Sequence, residues 1–126
     1  MFRHEILRMA AMRLFTCALA VCACACVTTD VAGAQTTAKV FKSLGSVQCS
    51  RGGADPASLA RQLTDAGVAV RNSACGSDGR MRAAMCGAND GRIAIFEVDS
   101  ADLAAAARLG FAPLANLPEA QVSPCR

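Results

Sequence analysis

The apolar positions divide the chain into a leader and a body. Residues 14–27 form an almost unbroken apolar run, whereas apolar and polar residues are interspersed later in the chain. Arginines precede the run and three small residues, at 32–34, follow it, which is typical of a secretory signal peptide. The run is shorter than the roughly 20 residues that a bilayer-spanning helix needs. We therefore expect a signal peptide over residues 1–34, cleaved after Ala34, and a single small exported domain over residues 35–126.

The clearest element of the body is a helix that begins after Asp55. Asp55 is a good N-cap, and Pro56 suits the first helical position, where a missing N–H loses no partner. Leu59 and Leu63 follow one turn apart on one face. Gly67 then supplies the positive φ that commonly ends a helix. The pattern predicts an amphipathic helix that packs its leucines on a core.

Runs of alternating and β-branched residues predict four strands around this helix. A second helix follows the third strand, with Ser100 as its expected N-cap and Gly110 at its end. The order βαββαβ is that of a ferredoxin-like α+β sandwich, an antiparallel sheet with two helices on one face. The strands are expected in the second half of 39–49 and over 68–75, 92–98 and 111–114, and the second helix over 101–109.

A short internal repeat stands between the second and third predicted strands. Residues 75–80 read Cys-Gly-Ser-Asp-Gly-Arg and are echoed by residues 86–92, and each copy ends in Asp-Gly-Arg. Asp-Gly favours tight turns, so one interpretation is two turns with no further role. The other is a loop platform that binds a partner through four charged side chains. Those candidate residues are Asp78, Arg80, Asp90 and Arg92.

The cysteines predict two disulfides in the body. Of the eight cysteines in the chain, half lie in the leader, where they behave as small apolar residues. The others form an even set, which in an oxidising compartment indicates two disulfides with three possible pairings. We favour Cys75–Cys86 and Cys49–Cys125, because the glycines that follow Cys75 and Cys86 allow a compact loop whose ends meet.

Two properties of the leader stay open on the sequence. The small residues and cysteines at 21–24 also resemble, imperfectly, a lipidation signal, so the alternative to a free exported domain is a lipid anchor on a leader cysteine. Translation could start at Met1, Met9 or Met12, and each start leaves the same body.

The residue types of the body argue against several chemistries. The only histidine of the chain, His4, lies in the leader, so the body lacks the residue for Ser-His-Asp or Cys-His catalysis and for a histidine-ligated metal. Its cysteines contain no Cys-x-x-Cys pair, which argues against zinc. Glu97, Asp99 and Asp102 are close in sequence, but the last two flank a helix start, where acids are common. We expect no catalytic residue, no cofactor and no metal.

Two patterns in the body resemble known families. A helix closes with Leu63-Thr-Asp-Ala-Gly67 before a strand, and residues 109–111 repeat that ending more faintly. In this order of elements, residues 46–70 and 91–114 resemble the half-repeats of sporulation-related repeat (SPOR) domains, which bind peptidoglycan glycan strands. The motifs Cys-Gly-x-Asp-Gly and Asp-Gly-Arg-Ile within 75–96 resemble an uncharacterised family of short exported cysteine-containing proteins of Gram-negative bacteria, which implies export but no activity.

These patterns favour a non-enzymatic, periplasmic or secreted binding module. Its expected partner is an envelope protein or a glycan, bound through the sheet face or the loop at 76–91. One alternative is an inhibitor or regulator of an exported enzyme, for which a disulfide-held loop is suited. Another, implied by the SPOR resemblance, is peptidoglycan binding. A net charge of +3 without Tyr or Trp does not favour nucleic acid, and no membrane span is expected in the body.

Overall fold

The structure is a computed structural model that describes residues 35–50 and 52–125. The leader, with its expected signal peptide, its possible lipid anchor and its start methionines, lies outside the described residues. The described part contains an antiparallel sheet, two α-helices and two short 3₁₀ helices. The strands are β1 (Thr37–Ser43), β2 (Val70–Ser77), β3 (Arg92–Asp99), β4 (Ala112–Pro113) and β5 (Gln121–Ser123), and the helices are α1 (Pro56–Asp65) and α2 (Leu103–Arg108).

β3 is the central strand of the sheet. The strands lie in the order β4-β1-β3-β2-β5, and every neighbouring pair is antiparallel. Because successive side chains of a strand point to opposite faces, Ala94, Phe96 and Val98 join one buried cluster, and Ile93 and Ile95 join another. The strand expected over 92–98 is therefore present, and it is buried on both faces.

Both helices contribute to the core on one face of the sheet. Leu59 and Leu63 of α1 and Ala106 of α2 are buried in the same cluster as Phe96 and Phe111. The two phenylalanine rings meet edge to face with their centroids 5.8 Å apart. Burying a large apolar side chain contributes about 1.5–3 kcal/mol, so this cluster is the main source of stability. The predicted α+β class with an antiparallel sheet and two helices is confirmed.

The helix α1 begins and ends where the sequence predicts. The Asp55 carboxylate accepts a hydrogen bond from the Ser58 backbone N–H at 3.1 Å, and Pro56 occupies the first turn. At the other end Gly67 takes a φ of 81°, which glycine adopts without steric cost. These local signals alone determine the bounds of the helix.

The second helix is shorter than predicted, and its N-cap is not Ser100. Residues 100–102 form a 3₁₀ turn, and α2 begins only at Leu103. The Ser100 N–H donates to the Thr36 carbonyl at 2.9 Å. Ser100 is therefore already part of the turn that leaves the sheet, and it does not cap α2.

The first strand lies earlier than predicted. The sequence favours the second half of 39–49, whereas β1 ends at Ser43. Pairing with β3 runs from Thr37 opposite Asp99 to Ser43 opposite Ile93. The position of β1 is therefore determined by its partner strand, and residues 44–49 are left free to contact a loop.

The sheet has five strands where the sequence predicts four. The additional strand is β5, which pairs with residues 75–77 of β2. Its three residues stand between Pro118 and Pro124, and for that reason the sequence indicates an irregular tail. β4, in contrast, lies within the strand expected over 111–114, and it forms the other edge of the sheet.

The disulfides join Cys49 to Cys86 and Cys75 to Cys125. The presence of two disulfides is confirmed. The predicted pairs, Cys75–Cys86 and Cys49–Cys125, are wrong. The structure contains a pairing that the sequence allows but does not favour.

The additional strand explains the correct pairing. β5 sets Ser123 opposite Cys75 and brings the Cα atom of Cys125 to 4.9 Å from that of Cys75. Elsewhere a β-bridge between Val47 and Asn89 brings the other two cysteines to a Cα separation of 5.1 Å. Both separations suit a disulfide. The compact loop between Cys75 and Cys86 does not form because Cys75 lies within β2.

The C-terminal segment covers part of the second face of the sheet. Ile93 and Ile95 of β3 pack with Leu117, and Leu114 and Ala120 flank this smaller cluster. The 3₁₀ helix Leu114–Asn116 leads the chain across this face before β5. The sheet therefore has a core on each side, a large one beneath the helices and a small one beneath the tail.

Candidate binding loop

Residues 78–91, which we call the 78–91 loop, connect β2 to β3. The sheet brings its ends together, because Ser77 lies opposite Arg92 in the register of the two strands. The Asp78 N–H also donates to the Gly91 carbonyl at 2.9 Å. The 78–91 loop is therefore the long connection of a β-hairpin, and the pairing of the two strands holds the ends of the loop together.

An ion pair closes the first part of the loop. Arg82 donates through Nη1 to Asp78 Oδ1 at 2.7 Å and through Nη2 to Oδ2 at 2.5 Å. The backbone N–H of Arg80 donates to the same carboxylate at 3.1 Å, and the Arg80 carbonyl accepts from Arg82 Nη1 at 3.2 Å. The hydrogen bond from Arg82 is the largest cause that lowers the pKa of Asp78. Asp78 is therefore ionised at neutral pH and shapes its own loop.

Gly91 lets the end of the loop pack against this ion pair. Its φ of 79° lies in the left-handed region, which favours glycine. A Cβ at this position would also overlap Arg82 Nη1 and lie 2.8 Å from Asp78 Oδ1. The glycine of the second Asp-Gly pair is required both for the turn and for the close approach.

Asp90 fastens the far end of the loop to a buried serine. Ser46 is 1% exposed, and its hydroxyl donates to Asp90 Oδ1 at 2.7 Å. The Arg92 N–H donates to the same oxygen at 3.0 Å, and the Asp90 N–H donates to the Ser46 carbonyl at 3.1 Å. The Asp90 carboxylate, like that of Asp78, is therefore occupied by hydrogen bonds within the protein.

Gln48 holds the middle of the loop through its side chain and its backbone. Its Nε2 donates to the Ala83 carbonyl at 3.0 Å, and its Oε1 accepts from the Met85 N–H at 2.9 Å. Its backbone N–H donates to the Ala88 carbonyl at 2.8 Å, and its carbonyl accepts from the Gly87 N–H at 3.1 Å. One residue outside the loop therefore sets the path of the chain from 83 to 88.

The Cys49–Cys86 disulfide adds a covalent connection beside these hydrogen bonds. Cys49 has a φ of 65°, a conformation that is uncommon for a residue with a side chain. The neighbouring contacts of Gln48 hold it there. The disulfide therefore fixes the loop at the point where its backbone is already paired.

The four residues predicted to form a binding platform divide into two pairs. Asp78 and Asp90 are engaged by the hydrogen bonds described above. Arg80 and Arg92 are exposed, and among residues 35–50 and 52–125 their guanidinium groups form no ion pair. The structure brings all four to one loop, but it leaves only the arginine side chains available to a partner.

The most exposed large apolar side chains of the loop are methionines, which are not among the four residues predicted to bind a partner. Met81 is fully exposed and Met85 is 62% exposed. A signal existed, because Met81 stands between two arginines in a stretch without strand or helix periodicity, and nothing local would bury it. Gln48 and Arg82 are also missed. Gln48 hydrogen-bonds to a residue more than thirty positions further along the chain, and no local sequence pattern predicts such a contact.

A half-open cavity of about 890 Å³ lies at the end of the sheet where β5 pairs with β2. Among its described lining residues the charged ones are Asp55, which already caps α1, and Arg92. Such a lining offers no converging set of reactive groups. Glycine, proline and disulfide residues make up much of its wall, namely Gly52, Gly53, Pro56, Cys75, Gly76 and Pro124.

The carboxylates near the start of α2 serve as structural partners. Glu97 Oε1 accepts from the Thr37 hydroxyl at 2.6 Å. Asp99 pairs with Arg71 at 2.9 Å, and this hydrogen bond is the main cause that raises the pKa of the Arg71 guanidinium. Glu97 and Asp99 are therefore engaged by different neighbours.

Residues 35–50 and 52–125 contain no group of three His, Cys, Asp or Glu side chains placed to hold a metal ion. In the same part of the chain no helix has the length and apolar character needed to cross a bilayer.

Comparison with known proteins adds no family to this description. No protein-family model, no curated protein and no solved structure matches the chain. The geometry of the 78–91 loop is therefore the basis on which its function is inferred.

Proposed function

We propose that the protein is a non-enzymatic exported module that binds an envelope protein through the 78–91 loop. The observation that supports this proposal is a contrast within the loop. Its backbone is fastened by an ion pair, by Gln48 and by a disulfide, whereas the side chains of Arg80, Met81 and Met85 are exposed. A loop that is already ordered loses little conformational entropy on binding. Exposed apolar and arginine side chains then supply contacts of the kind that dominate interfaces.

The loop is favoured over the sheet as the binding surface. One face of the sheet lies beneath α1 and α2, and Leu117 and its neighbours cover part of the other. Peptidoglycan binding across an open sheet face, which the SPOR resemblance implies, has less surface available. The loop, in contrast, has no side chain buried between residues 78 and 90.

Two observations support the exported, ferredoxin-like character of the domain. Disulfides persist in oxidising compartments, so the pairs Cys49–Cys86 and Cys75–Cys125 support a periplasmic or secreted location. The antiparallel order β4-β1-β3-β2 within the sheet supports a ferredoxin-like core to which β5 is added. A lipid-anchored location remains the alternative.

We infer no catalytic role, because the acidic side chains close to one another are engaged separately. Thr37 holds Glu97, and Arg71 holds Asp99. The exposed arginine and methionine side chains of the loop are not the proton-transfer groups that general acid–base catalysis uses.

The test is retention of the exported chain on separate envelope components. The full chain, produced with its own leader and with its disulfides intact, is passed over purified peptidoglycan, anionic lipid vesicles and immobilised envelope proteins. We expect retention on the protein column and weakening of at least about fivefold by Arg80→Ala with Met81→Ser, since one interface anchor contributes more than about 1 kcal/mol. Arg108→Ala, an exposed arginine on α2, is the matched control. Retention that is the same in the loop variant and the wild type would refute the proposal.

A further inference from the structure

We infer that the 78–91 loop lies, like a substrate, in the cleft of an exported endopeptidase, with Met81 in the pocket that receives the residue before the scissile bond. This inference rests on the proposed binding function of the loop, and it names the class of the partner. Three features of the loop support it: the unused backbone groups of Met81, the contacts on both sides of the Met81–Arg82 peptide bond, and the exposed side chain of Met81.

Met81 combines a fully exposed large apolar side chain with an unused backbone. Among the described residues no hydrogen bond engages its N–H or its carbonyl. The adjacent Arg80 uses its N–H for Asp78 and its carbonyl for Arg82. Extended peptides are bound through main-chain hydrogen bonds and one or a few side-chain pockets. Met81 therefore meets both requirements of a bound peptide, and Arg80 does not.

The peptide bond between Met81 and Arg82 is spanned by contacts from both sides. Asp78 lies before this bond and Arg82 after it, so their ion pair bridges the site at which an endopeptidase would act. Beyond it, Gln48 holds Ala83 and Met85. These contacts keep the two sides in place, so the loop stays in the cleft and is a poor substrate. Preorganisation of this kind raises affinity by reducing the ordering cost.

The side chain of Met81 determines which pocket it suits. Methionine is unbranched, flexible and apolar, and it fills a deep apolar pocket readily. A pocket with an acidic base, which selects Lys or Arg, would not select it. The expected partner is therefore an endopeptidase that prefers large apolar residues at this position.

A lipid surface is the competing partner for an exposed methionine between arginines. Membrane insertion needs buried apolar area and cationic side chains, and it does not require a backbone held by an ion pair, a glutamine and a disulfide. The bracing of the loop therefore favours a shaped cleft. Binding to vesicles is kept as an outcome of the test.

The experiment measures inhibition of endopeptidases by the exported chain with its disulfides intact. Chymotrypsin and subtilisin represent enzymes that accept large apolar residues, and trypsin represents an acidic pocket. We expect the wild type to inhibit an enzyme of the first kind and to keep its full mass after hours of incubation. Met81→Gly should weaken this inhibition at least tenfold, and Met81→Lys should transfer inhibition to trypsin. Val122→Ala, at an exposed apolar side chain of β5 outside the loop, is the control and should change inhibition less than twofold.

The outcomes separate this inference from the proposed function. Absence of inhibition by the wild type, together with no gain against trypsin for Met81→Lys, overturns the endopeptidase inference. Rapid cleavage after Met81 with loss of inhibition also overturns it, and so does Met81-dependent binding to anionic vesicles. In each case the binding function still stands if loop variants lose retention on envelope proteins. Urea unfolding of every variant identifies any that fails to fold, which we do not expect because Met81 is fully exposed.

Discussion

The core beneath the helices and the 78–91 loop are held in shape by different forces. In the core, Leu63 and Phe96 are almost completely buried, and stability comes from removing apolar surface from water. In the loop, no side chain from residue 78 to residue 90 is buried, and shape comes from directional contacts such as the Asp78–Arg82 ion pair. A small domain can therefore order a protruding loop without extending its hydrophobic core. The loop surface can change while the fold is retained.

The largest expected effect is a loss of stability from a substitution in the core. Phe96→Ala removes a ring that is 1% exposed and that contacts Phe111. Replacement of a buried phenylalanine by alanine typically costs about 3–5 kcal/mol, so the free energy of unfolding should fall by that amount in urea titrations followed by far-UV circular dichroism. Met81→Ala is the control and should stay within about 0.5 kcal/mol of the wild type. A loss below about 1 kcal/mol for Phe96→Ala would contradict a core held by this cluster.

The next largest effect is expected from removing either disulfide, and amide exchange in the loop should distinguish the two removals. Cys49→Ser with Cys86→Ser opens a bridge across a sequence separation of 37, and Cys75→Ser with Cys125→Ser opens one across 50. Each double variant should lose about 2–4 kcal/mol, because loop-closure entropy depends only weakly on length. Only the first should speed amide exchange in the 78–91 loop, measured by mass spectrometry. Equal loosening of the loop in both variants would show that the loop and the sheet edge are not independent.

A smaller effect is expected at Gln48. Gln48→Ala removes two side-chain hydrogen bonds to the loop, and each contributes about 0.5–1.5 kcal/mol at most in such exposed settings. The Met85 amide should exchange faster while the amides of β3 keep their protection. Gln62→Ala is the matched control, since Gln62 is an exposed glutamine whose side chain, among the described residues, hydrogen-bonds to Lys42 and not to the loop. Loss of β3 protection in Gln48→Ala would mean that the loop supports the core.

The smallest effect is the dependence of loop order on pH. Because the ion pair lowers the pKa of Asp78 in the folded protein, its contribution is complete above the ordinary aspartate pKa of about 4. It is lost as the pH falls through the lowered folded-state value. Loop amide exchange, corrected for its intrinsic pH dependence, should therefore be constant from neutral pH to about pH 4 and should rise below it. The Asp78→Asn variant should show the loosened loop at every pH, and an acid profile identical to that of the wild type would contradict the role of Asp78.

The elements that were predicted correctly are those with local causes. The helix α1 follows from Asp55, Pro56 and Gly67, all within a few residues of its ends. The central strand β3 follows from consecutive apolar residues that can be buried only on two faces. The strand β5 was missed because three exposed residues between prolines carry no periodic signal, and its existence depends on the edge of β2.

The sequence predicted that four charged residues share one loop, but it did not predict how each of them is used. The Cys-Gly and Asp-Gly repeat indicated a loop between two strands that carries Arg80 and Arg92. It did not indicate that both aspartates are engaged internally, because Ser46 and Arg82 reach them only in the folded chain. The exposure of Met81 was not predicted, although the arginines on both sides of it and the absence of strand or helix periodicity indicate an exposed position.

The sequence by itself determined the helix α1, the central strand β3 and the place of the Asp-Gly turns, since these depend on propensities and spacing within a few residues. Only the tertiary structure decided which cysteines pair, where β1 lies and which side chains of the 78–91 loop face outward. Those properties depend on contacts between residues tens of positions apart, such as Gln48 with Met85 and Cys75 with Cys125. A contact of that range forms only after the sheet has brought its two segments together, and for that reason no local pattern contains it.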